Sequence, residues 1–216
     1  PLHEELHVAA GSSTILYLLP KIVEAYRKAH PEVRLILHNV TGAGGLDLLR
    51  SDGVDLAVGS MLDVPGDLDY APVYRFEPML IAPPEHPLAG KADLKLDDLS
   101  PYGLILPPQR LTTYRLVDLV FQQNRVPYTV ALEVGGWEVI KKYVELGLGI
   151  SVVMSICITG NEKLEVIPAE RFFPRRIEAD SFEGHTLLAC NATCPDGVHV
   201  VLQRGCKRTS ERLRAA

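Results

Sequence analysis

The chain has 216 residues, of which 47% are hydrophobic and 23% are charged, with a formal net charge of −5 at pH 7. This is the composition of a globular protein, and its acidic balance disfavours strong binding to nucleic-acid phosphates by this polypeptide alone. The sequence contains no apolar run near the roughly 18 residues of a membrane-spanning helix, and it does not open on a basic and apolar leader. We therefore expect a cytoplasmic protein that does not bind membranes.

The first half of the chain alternates between short apolar runs and longer periodic ones. The short runs predict strands at residues 6–10, 33–39 and 55–59. The longer segments predict helices at 15–30 and 46–51, with a turn at the glycine run 42–45. Apolar spacing of three and four residues indicates a helix, and Pro31 ends the first one. A strand, helix, strand order at this pitch predicts right-handed βαβ units around a parallel sheet.

The second half repeats this order after an extended segment at residues 70–83. Its predicted strands are 104–106, 129–134, 150–154 and 164–167, and its predicted helices are 112–124 and 137–146. Gly147 supplies the left-handed residue with which many helices end. The predicted fold is α/β: two βαβ lobes joined by extended crossovers, in a clamshell like the type 2 periplasmic binding proteins. Lobe I takes residues 1–80 with 177–216 returning to it, and lobe II takes 81–176.

Polar or small residues stand at three predicted helix starts that each follow a strand. They are Ser12, Ser13 and Thr14 in lobe I, and Thr112, Thr113, Gly135, Gly136 and Trp137 in lobe II. In a doubly wound sheet such starts lie at the carboxyl edge, where ligands bind. Backbone N–H groups and the helix dipole favour an anion there, although the same residues are also ordinary helix caps. We expect small-molecule binding residues at these three starts.

The sequence shows no pattern typical of an enzyme or of a metal site. It has no nucleophile elbow, phosphate-binding loop or dinucleotide fingerprint, and no histidine is placed to activate Ser13. The cysteines are expected to be free thiols, with a disulfide or metal pair between Cys190 and Cys194 as the alternative. We therefore predict no catalysis, no cofactor and no metal.

Several charged residues of the second half are expected to be solvated. Lys141 and Lys142 are predicted to lie on the surface of their helix, and three glutamates are predicted to lie on solvated faces: Glu133, Glu138 and Glu145. The basic end of the chain, which includes Arg204, Lys207 and Arg208, is expected to be a solvated terminal helix or a frayed end.

Over residues 5–176 the chain resembles the effector-binding domain of LysR-type transcriptional regulators. The resemblance lies in the order of five segments: 6–10 with Leu18-Leu19-Pro20, 26–33, 55–59, 85–90 and 139–150. The last of these, with Val139-Ile140-Lys141 and then Tyr143, is most similar to the CysB branch of the family.

In that branch, hydroxyl groups at helix starts surround an effector in the cleft between the lobes, and sulfate can occupy it. By position, the resemblance assigns this role to Ser13, Thr14, Ser60 and Thr112. This chain departs from the pattern at Gly11, where a hydroxyl is expected, and at Gly136 and Trp137, where the branch has polar residues. We therefore expect a sulfate-like anion or a small carboxylate, with an organic effector favoured over sulfate alone.

The resemblance also implies partners. Such regulators contact DNA through an N-terminal winged helix-turn-helix that these residues do not include, and they form homodimers or homotetramers. Residues 189–197 match neither the returning strand nor the closing helix of the family, which leaves a divergent end or an altered reading frame. The alternatives to a regulator are an ABC-type periplasmic solute-binding protein and a clamshell enzyme.

Overall fold

A computed structural model describes residues 5–59, 67–173 and 197–203 of the chain. These residues divide into two compact units: residues 5–59, 67–75 and 197–203 form unit 1, and residues 76–173 form unit 2. In the described part of the chain, no helix is long and apolar enough to cross a membrane.

Unit 1 is built on one mixed sheet. Its strands, in the order in which they hydrogen-bond side by side, are β2 (Arg34–Asn39), β1 (Glu5–Ala10), β3 (Leu56–Gly59), β10 (Gly197–Gln203) and β4 (Leu68–Arg75). Strand β1 runs parallel to both β2 and β3, as the βαβ pattern predicts. Strand β10 runs antiparallel between β3 and β4.

The first helix follows β1 directly. It opens with a π-helical turn, Thr14–Leu18, and continues as α1, Leu19–Ala29, with Pro20 as the second residue of α1. Residues Leu18 and Leu19 are buried. The predicted end before Pro31 is confirmed.

The second helix, α2 (Gly42–Arg50), corrects the prediction of a turn at residues 42–45. The glycines form the first turn of the helix because Thr41 caps it, with its Oγ1 accepting a hydrogen bond from the N–H of Gly44 at 3.3 Å. Buried Gly45 packs against the side chains of Ala9 and Ala57 on the sheet. The low helix propensity of glycine is outweighed here by a cap and by close packing.

Unit 2 contains a three-stranded antiparallel group and a parallel pair. Strand β5 (Pro78–Ala82) lies between β8 (Ser151–Met154) and β9 (Glu165–Pro168), while β6 (Gly103–Leu106) pairs with β7 (Thr129–Glu133). Hydrogen bonds from Ile105 N to Ile150 O at 2.8 Å and from Ile150 N to Gly103 O at 3.0 Å join the two groups. Gly149 permits this approach, since a Cβ there would collide with the carbonyl oxygen of Gly103.

Two α-helices pack on the unit 2 strands, α3 (Thr112–Gln123) and α4 (Trp137–Glu145). Short 3₁₀ turns at Leu96–Leu99 and Ser155–Cys157 complete the unit. Its core contains the fully buried residues Leu80, Leu104, Leu106, Val117 and Phe121. Gly147 has a φ of +79° after α4, which confirms the left-handed cap.

One strand prediction needs correction. The extended segment predicted at 70–83 is two strands, β4 in unit 1 and β5 in unit 2. Residues 189–196, which match no strand in the sequence, lie outside the described residues, and β10 begins at Gly197 and inserts between β3 and β4. The returning strand implied by the family resemblance is therefore present.

Candidate functional site

In unit 1 the carboxyl ends of three parallel strands lie at one edge of the sheet. They are the ends of β1, β2 and β3 at Ala10, Asn39 and Gly59. At this edge the hydroxyl of Ser12 donates a hydrogen bond to Oδ1 of Asn39 at 3.0 Å. Asn39 was missed in the sequence analysis; its position as the last, polar residue of a strand parallel to β1 was the available signal.

The hydroxyls at the start of the first helix do not cap it as predicted. Ile15 N donates to Gly11 O at 3.0 Å, so the helical hydrogen bonds begin at a glycine. Ser13 makes no side-chain cap bond, and Ser12 is directed to Asn39. Ser13 and Thr14 are half-buried in the first turn, where backbone N–H groups have no helical acceptor.

Gly11 lies in open surroundings. A Cβ built there would have only the backbone oxygen of Val40 within 4 Å, at 3.7 Å, which is an ordinary contact. Packing therefore does not require a glycine at this position. The fold would also accommodate the hydroxyl residue that the family resemblance implies here.

In unit 2 the starts of α3 and α4 lie at the carboxyl edge of the parallel pair β6 and β7. Val134 N donates to Leu106 O at 2.9 Å, which joins the two strand ends. A Cβ on Gly135 would lie 3.9 Å from the ring of Pro108, so the loop before α3 runs close to the start of α4. The loop before α3 and the start of α4 are thus neighbours within this unit.

The threonines at the start of α3 do not cap it, contrary to the prediction. The N-cap position is Leu111, whose carbonyl accepts from Arg115 N at 3.3 Å, and it makes no side-chain cap bond. Thr112 and Thr113 are half-buried in the first turn, which contains no acidic residue. This first turn keeps the positive end of the helix dipole without a carboxylate of its own.

The start of α4 depends on a glycine. Gly136 is its N-cap residue with φ +91°, a conformation that residues with a side chain rarely adopt, and its carbonyl accepts from Ile140 N at 3.0 Å. Trp137, the single tryptophan of the chain, is the half-buried first residue of the helix. The acidic Glu138 occupies the same first turn, so α4 differs in charge from α3.

Lys141 is buried, and its predicted surface position is wrong. Its side chain is 5% exposed, against 68% for Lys142, whose surface position is confirmed. The Lys141 Nζ donates to Glu162 Oε1 at 2.7 Å and to Cys157 O at 2.7 Å, and it lies 2.8 Å from Glu138 Oε1. Burial alone would lower the pKa of Lys141, but hydrogen bonds to the two carboxylates outweigh it and raise that pKa.

Glu162 is the buried partner of this lysine, at 9% exposure of its side chain. Burial would raise the pKa of Glu162, but hydrogen bonds from Lys141 and from the N–H and hydroxyl of Thr159 lower it to about 2. Lys142 shares the place of Lys141 between the buried residues Ile140 and Val144, so this position alone did not predict which lysine is buried. A sequence pattern does not reveal the partner of Lys141, which lies 21 residues away.

Besides Glu138, two glutamates were predicted to be solvated, Glu133 and Glu145, and they differ in exposure. Glu133 is exposed, whereas the Glu145 side chain is only 21% exposed. Glu145 accepts hydrogen bonds from Lys142 Nζ at 3.1 Å and from Lys163 N at 3.2 Å, and these lower its pKa. It therefore links α4 to the segment that precedes β9.

Cys157 is a buried free thiol. Its Sγ donates to Met154 O at 2.9 Å, and burial raises the pKa of the thiol to about 12. Such a thiol is unreactive at neutral pH. Among residues 5–59, 67–173 and 197–203, no group of three or more side chains is arranged to hold a metal ion. Ser60, Cys190, Cys194, Cys206 and the basic end of the chain lie outside the described residues.

Two α/β units, each with helix starts at the carboxyl edge of parallel strands, define a class of ligand-binding domain. The chain belongs to the LysR substrate binding domain family, whose match covers residues 1–179. The predicted α/β fold of periplasmic-binding-protein type and the expected effector-binding, non-enzymatic class are thereby confirmed.

Known proteins similar to this chain are regulators. The HTH-type transcriptional regulator CysB of Haemophilus influenzae is 30% identical over 192 residues, which are 87% of this chain and 59% of that protein. The cofactor-binding domain of the Cbl transcriptional regulator superposes with a TM-score of 0.80 at 25% identity, covering 98% of this chain and 88% of that one. The regulatory domain of Synechocystis CcmR, solved in complex with 2-PG, has the same fold with a TM-score of 0.78 at 21% identity, covering 98% and 94%. The chain spans a little more than half the length of CysB.

Proposed function

We propose that this chain is the effector-sensing part of a LysR-type, DNA-binding transcriptional regulator. It binds a small anionic or polar metabolite at the polar helix starts described above. The observation that carries this proposal is the family match together with helix starts of polar character at the carboxyl edge of parallel strands in each unit. The regulators among its relatives favour this function over that of an ABC-type periplasmic solute-binding protein.

The first turns of the helices differ in charge, which supports different roles for them in binding the effector. The first turns of the π-helical segment before α1 and of α3 contain no acidic residue, whereas α4 has Glu138 there. An anionic group of the effector is therefore better stabilised at the α1 and α3 starts. Trp137 supplies an apolar ring at the α4 start, which suits an organic part of the ligand. A small carboxylate fits this combination better than sulfate alone, and the CcmR complex with 2-PG agrees with an organic ligand.

The mechanism requires no chemical step. An effector favours the conformation of the domain for which its affinity is greater, and only this difference in affinity shifts the equilibrium. The signal is passed to a winged helix-turn-helix outside these residues. The net charge of −5 agrees with DNA contacts that lie elsewhere in the regulator. Such a regulator works in the cytoplasm.

Self-association is part of the same proposal, as a homodimer or homotetramer. Strand β2 lies at the edge of the unit 1 sheet, and four of the five residues of β7, at the edge of its parallel pair, are exposed. Open sheet edges offer unpaired backbone groups to a second chain. Analytical ultracentrifugation of the chain tests this point, and a monomer across the micromolar range would contradict it.

The experiment that tests effector binding is a calorimetric titration of the chain with four ligands in parallel. They are sulfate, thiosulfate, O-acetylserine and benzoate, the last standing for aromatic carboxylates. Binding of at least one of them, without any change in the ligand recovered afterwards, is the expected result. Recovery of a chemically altered ligand would refute the non-enzymatic function, and no heat or thermal shift with any of them would refute the proposed ligand class.

A further inference from the structure

Lys141 occupies a position in unit 2 that the proposed binding mechanism does not by itself explain. A buried lysine is costly unless its ammonium group is paired and hydrogen-bonded. Here three acceptors lie within 2.8 Å of Nζ: carboxylate oxygens of Glu138 and Glu162 and the carbonyl oxygen of Cys157. An ammonium group has three protons to donate, so this geometry suits the charged form.

The acceptors are themselves held in place. Glu162 accepts hydrogen bonds from Thr159 N at 3.0 Å, from Thr159 Oγ1 at 3.0 Å and from Gly160 N at 2.9 Å. Cys157 is fully buried directly after β8, and its thiol is bonded to Met154 O. Lys141 therefore joins α4 to an ordered segment, residues 155–162, that follows the buried strand β8.

The backbone before α4 does not provide such a restraint. Gly135 and Gly136 are both exposed and precede the helix directly, and glycine has more backbone freedom than any other residue. Lys141 lies one turn after Trp137 on the same helix face, and it pairs with Glu138 in the first turn. The side-chain network is thus placed to fix the beginning of a helix that two glycines precede.

We propose that Lys141 is a positioning residue that holds the first turn of α4, including Trp137 and its backbone N–H groups, in the orientation that receives the effector. This inference rests on the proposed function for the role of that turn in binding. Its structural part, the restraint on Trp137, can be measured without any ligand.

The experiment compares Lys141→Met with the matched control Lys142→Met, which removes an exposed lysine from the adjacent position. Trp137 is the only tryptophan, so acrylamide quenching of its fluorescence reports on the α4 start alone. Hydrogen exchange of the Ile140 amide, which donates to Gly136 O at 3.0 Å, gives a second measurement. For Lys141→Met we expect Trp137 quenching to rise about twofold and exchange to rise about tenfold, as in a local opening, whereas Lys142→Met leaves both unchanged.

A second variant separates positioning from stability. Lys141→Met combined with Glu162→Gln removes both buried charges, so we expect it to recover most of the thermal stability lost in the single variant. If Lys141 positions the turn, the double variant still shows increased quenching and exchange, and any ligand that binds the original chain binds it more weakly. The inference would be overturned if the double variant matched the original chain in thermal stability, in Trp137 quenching and in amide exchange. Failure of the original chain to bind any of the four ligands named above would count against the proposed function but would leave the quenching result standing.

Discussion

Replacing Glu162 with glutamine should lower the stability of unit 2 in a pH-dependent way. The folded state lowers the pKa of Glu162 from 4.5 to about 2, which corresponds to at most about 3 kcal/mol of stability at neutral pH. Solvent screening near the protein surface reduces this, so we expect a loss of about 2 kcal/mol in Glu162→Gln. Because the folded pKa is lower than the unfolded one, the contribution is complete above pH 4.5 and is lost as pH falls towards 2.

Urea unfolding at pH 7 and pH 3 measures this effect, with Glu24→Gln as the control. Glu24 forms an exposed pair with Lys28 on α1, at 65% and 75% exposure, and such pairs contribute only about 0.3–0.5 kcal/mol. The difference between the original chain and Glu162→Gln should shrink to roughly half or less at pH 3. An equal difference at both pH values, or one no larger than that of the control, would refute the assignment of a low pKa to a buried ion pair.

Three substitutions test the helix starts. Thr112→Ala should weaken the binding of the best ligand by about 1–2 kcal/mol in calorimetry. The control Thr129→Ala removes an exposed hydroxyl at the amino end of β7 and should leave the affinity unchanged. An unchanged affinity for Thr112→Ala would remove this residue from the site. Gly11→Ser has room for its side chain and should increase sulfate affinity by about three- to tenfold by adding a hydrogen bond; equal or weaker binding would show that this position does not face the anion. Gly136→Ala places a side chain at φ +91° and should cost about 1–2 kcal/mol in urea unfolding. Gly135→Ala is its control, and equal stabilities would contradict the strain.

The order of strands and helices was predictable because it depends on local periodicity. Apolar runs marked β1, β3 and β6, and the spacing of three and four residues marked α1, α3 and α4. Predictions failed where a distant contact decided the outcome. The glycine run 42–45 is helical because Thr41 caps it and because Gly45 packs closely against Ala9 and Ala57 of the sheet.

In the candidate site too, local features were predictable and distant contacts were not. Sequence placed Ser12, Thr112 and Gly136 at helix starts that follow strands, and the structure puts them there. It did not show that Ser12 bonds to Asn39, because that partner lies on the neighbouring strand, 27 residues further along the chain.

By itself, the sequence determined the α/β class, the family and the edge of each sheet where a ligand is expected, because these follow from periodicity and from the order of short segments. Only the tertiary structure decided that Lys141 is buried while Lys142 is exposed, since the two lysines have the same charge and adjacent positions on one helix. The difference comes from Glu162, which is 21 residues away in the chain and 2.7 Å away in space. The Coulomb energy of a pair depends on that distance and on the local dielectric, and a linear pattern contains neither.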